Sequence, residues 1–226
     1  MVKVSVVVCA KNEEKMVGPC LQALKAQTIV PEIVVVDGHS TDNTIKVAEE
    51  YADKIVKDNK KGLGEARDVG AEAATGDIIA YCDADALPPK NWVENIIKLM
   101  ENSVCVSGPL IAYDGPWHLK ANFTFWTNWI PQFTAIFGFH NVWGANMAVR
   151  KDALVNFKFK YPFLEDFYMG EQLRKAKLKC KFSNDLAIPV SSRRFWDEGF
   201  YKVCAQYYLG HVFKQKITGK RDSGYY

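Results

Sequence analysis

Two aspartates separated by a single residue follow an apolar run and could bind a divalent cation. The run covers residues 78–82, within a predicted strand over 77–82, and leads into Asp83-Ala84-Asp85. Carboxylates at positions i and i+2 beyond a strand end can share a hard cation, which then neutralises phosphate oxygens that the carboxylates would otherwise repel. A solvated turn in which Asp85 starts the next helix is the alternative, so this motif alone does not define a function.

The same Asp-x-Asp pattern serves a second chemistry, the hydrolysis of phosphate esters. Phosphohydrolases of the haloacid dehalogenase type carry it after a strand and use the first aspartate, here Asp83, as nucleophile. That family keeps the pair after its first strand, usually with Thr or Val two residues beyond the second aspartate. Here the pair follows the fourth predicted strand and Leu87 occupies that position, and both facts argue against a phosphohydrolase.

Two further motifs place polar side chains beside glycine-containing loops. Asp37 follows the apolar run 33–36 and would face the crevice in which open α/β sheets bind ligands. The alternative is a structural aspartate that only forms hydrogen bonds with the backbone of its own turn. Arg67 lies in the glycine-bordered segment 61–70, where an arginine can hold a base or a phosphate or pair with an acid at the surface. No G-x-G-x-x-G motif follows a predicted strand, which disfavours an ordinary dinucleotide cofactor.

The elements that carry these residues alternate between strand and helix periods, which predicts β-α-β units wound into a mostly parallel sheet. The predicted strands are 3–9, 32–36, 54–57, 77–82, 104–113, 142–150 and a run from 180, and the predicted helices are 13–27, 40–52, 64–75, 88–100, 165–177 and 196–215. Ser40 and Thr41 are the predicted N-terminal caps of the second helix.

One stretch, residues 121–149, contains no Asp, Glu, Lys or Arg, and ten aromatic residues lie between positions 113 and 143. A membrane span needs about 20 predominantly apolar residues. Several polar side chains and Pro131 interrupt this stretch, so we favour an aromatic helix pair that lies over a cleft or against an interface.

Composition limits the remaining possibilities. The 226 residues, 48% hydrophobic and 24% charged, suit one folded domain, and the net charge of +3 is too small to indicate nucleic-acid binding. From residue 191 onward, however, seven basic residues face three acidic ones, so an anionic partner is expected near the C-terminus. The six scattered cysteines are predicted to be mostly buried thiols. The strand-like first residues are unlike a secretory leader, which predicts a cytoplasmic protein.

In their order and spacing the motifs resemble the family 2 glycosyltransferases of the GT-A fold. The resemblance rests on residues 4–8 with Lys11-Asn12-Glu13-Glu14, on residues 35–42, on residues 64–70 and on Asp83-Ala84-Asp85. It covers residues 3 to about 189. It implies a single α/β domain of GT-A type with one mostly parallel sheet flanked by helices. The Rossmann-like nucleotide half would span about 1–102, the acceptor and catalytic half 103–190, and a basic aromatic C-terminal helix 191–226.

In that family the crevice holds a nucleotide-sugar, so the resemblance implies a UDP- or GDP-sugar as donor. The residues it places around the donor are Ala10, Lys11, Glu13, Asp37, Arg67 and Asp83. Asp85 becomes the expected ligand of Mg²⁺ or Mn²⁺, with Asp83 beside it. His211 is a further candidate ligand, because a late histidine completes the metal site in some GT-A enzymes, but a lone histidine on a helix is more often structural.

The resemblance also implies a catalytic carboxylate in the second half, where Leu164-Glu165-Asp166-Phe167 offers two. Inverting transfer needs a base that takes the proton of the acceptor hydroxyl. We assign Asp166 to this role and keep Glu165 in reserve. Either carboxylate could instead be a favourable charge at a helix N-terminus.

Two other segments complete the predicted site. Residues 143–150 resemble the family's acceptor segment, with Gly144 and Asn146 beside the acceptor, although Asn146 could also have a purely structural role at a strand end. Arg193 and Arg194 fall where a loop would close over the donor and could neutralise its diphosphate, with a basic strand end as the alternative.

The acceptor is the least determined part of the prediction. Processive members of the family carry Q-x-x-R-W after the base, whereas residues 171–175 read Glu-Gln-Leu-Arg-Lys, so transfer of one sugar is favoured over polymer synthesis. The charge-free aromatic stretch and the basic aromatic C-terminus suggest a peripheral enzyme at the inner face of a membrane, acting on a lipid-linked acceptor such as a polyprenyl phosphate or on a polysaccharide precursor. Packing of the two segments on each other, or a homodimer interface, is the alternative. A nucleotide-sugar-binding protein without turnover is the remaining function class.

Overall fold

The computed structural model describes residues 2–136, 142–159, 165–199 and 202–203. The first hundred residues alternate strands and helices as predicted. Their elements are β1 (Val4–Ala10), α1 (Val17–Lys25), β2 (Glu32–Asp37), α2 (Thr44–Ala48), β3 (Lys54–Lys57), α3 (Leu63–Ala73), β4 (Ile78–Asp83) and α4 (Trp92–Met100).

The first two helices begin later than predicted because side chains hold the residues before them in turns. Asn12 has a positive φ of 55°, and the N–H of Glu13 donates to the hydroxyl of Thr44 at 2.7 Å, so α1 begins only at Val17. The predicted capping of α2 by Ser40 and Thr41 is wrong. The carboxylate of Asp42 accepts from the N–H of Thr44 at 3.0 Å, and α2 begins there.

The second half contains shorter elements. They are β5 (Cys105–Ser107), β6 (Leu110–Ala112), α5 (Trp117–Thr124), a π-helical turn (Phe125–Trp129), α6 (Ile130–Ala135), β7 (Asn146–Arg150), α7 (Lys151–Leu154), α8 (Glu165–Lys175), β8 (Cys180–Phe182), a 3₁₀ turn (Asn184–Leu186), β9 (Ile188–Val190) and α9 (Arg193–Asp197). The single strand predicted over 104–113 is divided in two at Gly108 and Pro109, because proline has no N–H to donate to a sheet. The helix predicted over 196–215 lies mostly outside the described residues.

Within the described ranges, seven strands form one sheet in the order β3-β2-β1-β4-β7-β5-β8, and β6 pairs with β9 separately. β1 runs parallel to both β2 and β4, and only β7 runs antiparallel to its neighbours in the large sheet. In this register Ala10 lies opposite Asp37 and Cys9 lies opposite Asp83. The carboxyl ends of the three strands therefore meet at one edge, where open α/β sheets bind ligands.

Helices cover both faces of the sheet, which explains why the strands are continuous apolar runs. Val6 and Val8 pack into a cluster with α1 and α4, and Val7 packs into a second cluster with α3 and α8. Gly70 lets α3 approach closely, since a Cβ there would stand 2.3 Å from the side chain of Val7. This close approach positions Arg67, one turn earlier on α3, beside the end of β4.

The described cysteines are free thiols, as predicted. Cys9, Cys20, Cys82 and Cys105 are buried, and Cys180 is partly buried. Cys204 lies outside the described residues.

Candidate active site

Asp37 stands at the predicted edge of the sheet, at the end of β2 and directly beside Ala10. Its side chain is 2% exposed, and one carboxylate oxygen accepts from the N–H of Ser40 at 2.9 Å. The N–H of Gly38 donates to the carbonyl of Ala10 at 2.8 Å. The Asp37 carboxylate thus fixes the loop after β2, as expected of a turn aspartate. It also lies at the edge of the crevice, at the end of β2.

The loop after β1 reaches across the crevice to α9. Lys11 and Glu13 are half-buried, and the carboxylate of Glu13 forms an ion pair with Arg193, 180 residues away in the chain. Oε2 of Glu13 is buried and has no hydrogen-bond partner within the described residues. Two residues predicted separately to contact the donor therefore lie together.

The residue next to Arg193 points elsewhere. Nε of Arg194 lies 3.1 Å from Oε1 of Glu198, one helical turn along α9. Asp114 fixes the start of α9 by accepting from the N–H of Ser192 at 2.6 Å and from the hydroxyl of Ser191 at 2.5 Å. No motif in the sequence marked this aspartate, since its partners lie 77 and 78 residues away.

Asp83 and Asp85 form the turn that leaves β4. Asp83 exposes 40% of its side chain, and Asp85 lies near both Asp83 and Glu13. Burial, together with the negative charges of Asp83 and Glu13, raises the pKa of Asp85 to about 7, and the positive charge of Arg193 opposes this rise. Such an excess of negative charge fits a cation.

The donor set of this turn suits a hard divalent ion. Mg²⁺ is usually bound by one or two carboxylates together with substrate phosphates rather than by a complete cage of protein ligands. Among the residues that the structure describes, no group of three or more His, Cys, Asp or Glu side chains is arranged to hold a metal. Asp83 and Asp85 fit the first mode of binding, and His211 lies outside the described residues.

Arg67 is buried beneath these aspartates, with 3% of its surface exposed. Its guanidinium Nη1 forms an ion pair with Glu165, and Nη2 lies 3.3 Å from Oδ1 of Asp83. Its guanidinium carbon also stands 5.9 Å from the ring centre of Phe159. The alternative of a surface arginine is therefore wrong, and the ion pairs of Arg67 are with acids of the site.

Glu165 and Asp166 begin α8 and differ in their contacts. Glu165 is 6% exposed and pairs with Arg67. Burial raises its pKa to about 7, although the positive charge of Arg67 opposes the rise. Asp166 is half-buried, and its Oδ2 accepts from the N–H of Gly144 at 2.9 Å. Burial also raises the pKa of Asp166, against Arg67 and two backbone N–H groups, so this carboxylate is a better proton acceptor than an aspartate in water.

Asn146 does not reach the crevice. It is fully buried, its Oδ1 accepts from Trp92 Nε1 at 3.0 Å, and its Nδ2 donates to the carbonyls of Leu186 at 2.6 Å and Pro109 at 3.2 Å. The predicted contact of Asn146 with the acceptor is therefore not formed by its side chain, whose role at the start of β7 is structural. Gly144, two residues earlier, borders the site.

In the first part of the aromatic stretch, α5, the π-helical turn and α6 form one continuous helical segment, which is anchored beside Gly144. Thr127 donates through its hydroxyl to the carbonyl of Leu110 at 2.6 Å and accepts, through its carbonyl, from Trp143 Nε1 at 2.9 Å. Phe123, Thr127 and Pro131 face inward and are buried. The large apolar side chains that remain exposed are Trp117 (79%), Phe125 (51%), Trp126 (50%), Trp129 (64%), Phe133 (60%) and Ile136 (78%).

The outward face of this segment is consequently aromatic. Across the described ranges, no helix combines the length and the apolar character needed to cross a bilayer. A continuous segment with outward-facing aromatic side chains replaces the helix pair predicted from the sequence.

Comparison with known proteins identifies the family of this site. A family model described as Glycosyl transferase family 2 matches residues 5–157, which is more than half of the chain and includes Asp37, Arg67 and the Asp-x-Asp motif. The glucosyl-dolichyl phosphate glucuronosyltransferase of Haloferax volcanii is 32% identical over 120 residues, which cover 48% of this chain and 38% of that protein. The chain spans well under half of the length of the curated relatives it matches.

Solved structures share the fold. One of them is the mannosyltransferase PcManGT from Pyrobaculum calidifontis in complex with GDP-Man and Mn²⁺. It superposes with a TM-score of 0.72 at 19% sequence identity, and the superposition covers 97% of this chain and 65% of the PcManGT chain. Staphylococcus aureus TarS 1-349 in complex with UDP-GlcNAc gives a TM-score of 0.64 at 20% identity and covers 84% and 59%. The predicted fold class, a mostly parallel sheet of GT-A type flanked by helices, is thereby confirmed.

Proposed function

The chain belongs to glycosyl transferase family 2, and on that premise we propose that it transfers one sugar, with inversion, from a UDP- or GDP-sugar to an acceptor hydroxyl or phosphate. One observation carries this proposal. The Asp-x-Asp turn at the end of β4 and the Glu165-Asp166 pair at the start of α8 are joined by one guanidinium, that of Arg67. This bridge brings the candidate metal-binding turn close to the turn that carries the candidate base, which supports one shared site.

The donor half of the proposal rests on the meeting of the strand ends. Ala10, Lys11 and Asp37 border the space for the base and ribose, and Arg193 lies across the crevice at Glu13, where a guanidinium suits a diphosphate. The structural neighbours described above were solved with GDP-Man and UDP-GlcNAc, which supports either nucleotide. Asp85, with Asp83, would hold Mg²⁺ or Mn²⁺, and the ion would supply positive charge to the diphosphate leaving group.

Asp166 is the proposed base. The N–H of Gly144 fixes one of its carboxylate oxygens, and its burial favours proton uptake. In a single displacement an acceptor oxygen forms a bond to the anomeric carbon while the bond between that carbon and the diphosphate breaks. The Asp166 carboxylate takes the proton that the acceptor loses, from its hydroxyl or from a singly protonated phosphate. Glu165 is committed to Arg67 and is the weaker candidate. The phosphohydrolase alternative is not retained, because the family match includes the Asp-x-Asp motif.

The acceptor is proposed to be a polyprenyl phosphate at the inner face of a membrane, with the enzyme cytoplasmic and peripheral. Two features support a lipid surface: the outward aromatic face of the segment next to Gly144 and the basic composition of the chain from residue 191. Aromatic side chains with nearby positive charge are typical of interfacial segments. The name of the Haloferax volcanii relative also includes a dolichyl phosphate.

The proposal is tested first by ligand-induced stabilisation. We expect UDP or GDP, but not CDP or dTDP, to raise the melting temperature, and to do so only when Mn²⁺ or Mg²⁺ is present, since a ligand at 100 times its Kd stabilises the folded state by about 2.7 kcal/mol. Release of the nucleoside diphosphate from the matching nucleotide-sugar, in the presence of a polyprenyl phosphate, then measures transfer. Nucleotide binding without any turnover across lipid and water-soluble acceptors would indicate a binding protein instead.

A further inference from the structure

The guanidinium of Arg67 is the only described side chain that bridges carboxylates from both acidic motifs of the site. Its partners lie 16 residues away, at Asp83, and 98 residues away, at Glu165. Arg67 and Glu165 are almost fully buried, whereas Asp83 opens to the crevice. The end of β4 and the start of α8 are therefore connected through a side chain of α3.

A charge is buried in this way only when its partners compensate the loss of water. Removing one member of a buried ion pair leaves an unpaired charge and strongly destabilises the fold. Arginine suits a bridging position because its planar fork can donate in two directions at once, which the single ammonium of lysine cannot do with the same geometry. The fork of Arg67 is occupied by Glu165 on one side and by Asp83 on the other.

Gly144 makes the space for this fork. A Cβ at position 144 would stand 2.4 Å from the guanidinium carbon of Arg67 and 2.4 Å from its Nη1, a distance that no side chain can accept without displacement. The N–H of the same glycine donates to Asp166 at 2.9 Å. The residue that gives room to Arg67 is thus the residue that orients the proposed base.

We propose that Arg67 is a positioning residue that holds the Glu165-Asp166 turn against the Asp-x-Asp turn, with Gly144 as the contact through which its position reaches Asp166. The inference rests on the proposed function and adds a positioning role to the donor contact that the family resemblance implies for Arg67. The ion pairs with Asp83 and Glu165 carry this second role, because they join two turns of the chain itself. Loss of the bridge is therefore expected to lower turnover by a larger factor than nucleotide affinity.

The experiment compares Arg67→Lys with Arg174→Lys, a change of the same type at an exposed position of α8. For Arg67→Lys we expect the rate constant for donor turnover at saturating donor to fall by about tenfold or more, since a displacement of about 1 Å at a reacting group can cost a hundredfold. We expect the nucleotide concentration at half-maximal thermal shift, measured with Mn²⁺, to change by a clearly smaller factor than turnover. Arg174→Lys should change neither quantity.

Two results would overturn the inference. If nucleotide affinity falls by the same factor as turnover, Arg67 acts through donor binding alone. If neither quantity changes, the bridge has no role in positioning. Turnover that falls by a clearly larger factor than affinity supports the inference.

A double-mutant cycle tests the contact without any activity assay. Gly144→Ala should lower the melting temperature in the wild-type background, and by clearly less in the Arg67→Lys background, because the narrower lysine end relieves the clash. Additive shifts would overturn the inference even if the enzyme proves active. If the wild type binds no nucleotide but the shifts are coupled, the proposed function fails while the structural contact stands.

Discussion

Arg67 is 3% exposed, whereas Trp129, on the helical segment anchored beside Gly144, is 64% exposed. Both values run against the usual distribution of these residue types. The arginine lies inside because two carboxylates meet its guanidinium, whereas the tryptophan lies on the outward face of its helical segment. The two departures have different causes. The burial of the arginine is explained by partners within the chain, whereas an exposed apolar surface is typical of a site that binds an external partner.

The largest expected effect concerns the ion network and its neighbour Asp166. Asp166→Asn keeps the shape of the side chain but cannot accept a proton, so we expect transfer to fall by about 10²- to 10⁴-fold with nucleotide affinity retained. Steady-state kinetics of sugar transfer, together with the thermal shift by nucleotide, measures both quantities. Glu165→Gln is the matched control and should be the more active of the two. An inactive Glu165→Gln beside an active Asp166→Asn would reverse the assignment of the base.

The second effect concerns the Asp-x-Asp turn, whose Asp83 is the crevice-facing partner of Arg67. Asp85→Ala removes the proposed metal ligand, so we expect the Mn²⁺-dependent part of the nucleotide-induced thermal shift to disappear. Asp152→Ala, a change at an exposed position on α7, serves as the control and should bind like the wild type. Undiminished metal-dependent binding by Asp85→Ala would disprove a metal site at this turn.

A third prediction concerns stability and compares two glutamates of α8. Glu165→Ala leaves the buried guanidinium of Arg67 without its main partner and should lower the free energy of unfolding by about 3–5 kcal/mol. Glu171 pairs with Lys175 at 2.7 Å near the surface, so Glu171→Ala should cost less than about 1 kcal/mol. Urea denaturation measures the two values. Equal costs would show that burial of the Arg67 network contributes nothing beyond an ordinary surface pair.

Most of the crevice edge could be predicted from the sequence, because it depends on local patterns. Apolar runs that end in Asp37 and Asp83 predict parallel strands whose carboxyl ends meet, and the register of β1 with β2 and β4 brings these ends together. The side-chain contacts could not be predicted, since they join distant positions such as Glu13 and Arg193. The predicted starts of α1 and α2 were wrong for the same reason. Hydrogen bonds between the two preceding loops, including that from Glu13 to Thr44, hold the residues before these helices in turns.

The second half was predicted less well because its elements are short and their environment is decided by packing. Asn146 looked like a residue of the acceptor site, yet the fold surrounds it with Trp92 and two backbone carbonyls. Nothing local distinguishes a buried asparagine from one at a crevice, since both follow a turn and begin a strand. The exposure of the aromatic face could likewise not be predicted from the sequence, because aromatic content does not reveal which side of a helix other elements cover.

The smallest expected effect on stability belongs to the exposed aromatic face, and it is the one that distinguishes its proposed partner. A double variant, Trp126→Ser with Trp129→Ser, removes two side chains that are 50% and 64% exposed. It should change the free energy of unfolding by no more than about 0.5 kcal/mol per residue, as for other surface changes. Phe123→Ala is the inward-facing comparison. Phe123 is buried and packs edge-to-face on Phe195 at 5.2 Å, so its truncation should cost about 3–5 kcal/mol.

The same variants separate a lipid surface from a second copy of the chain. We expect the wild type to float with anionic liposomes at low salt and the double variant to remain behind, because interfacial tryptophans supply the apolar part of the binding. High salt should weaken flotation of the wild type without abolishing it, since salt screens the basic segment but leaves the aromatic contact intact. If the wild type never floats and instead forms a dimer that the double variant dissociates, as measured by light scattering, the aromatic face is a subunit interface and the lipid-linked acceptor loses its main support.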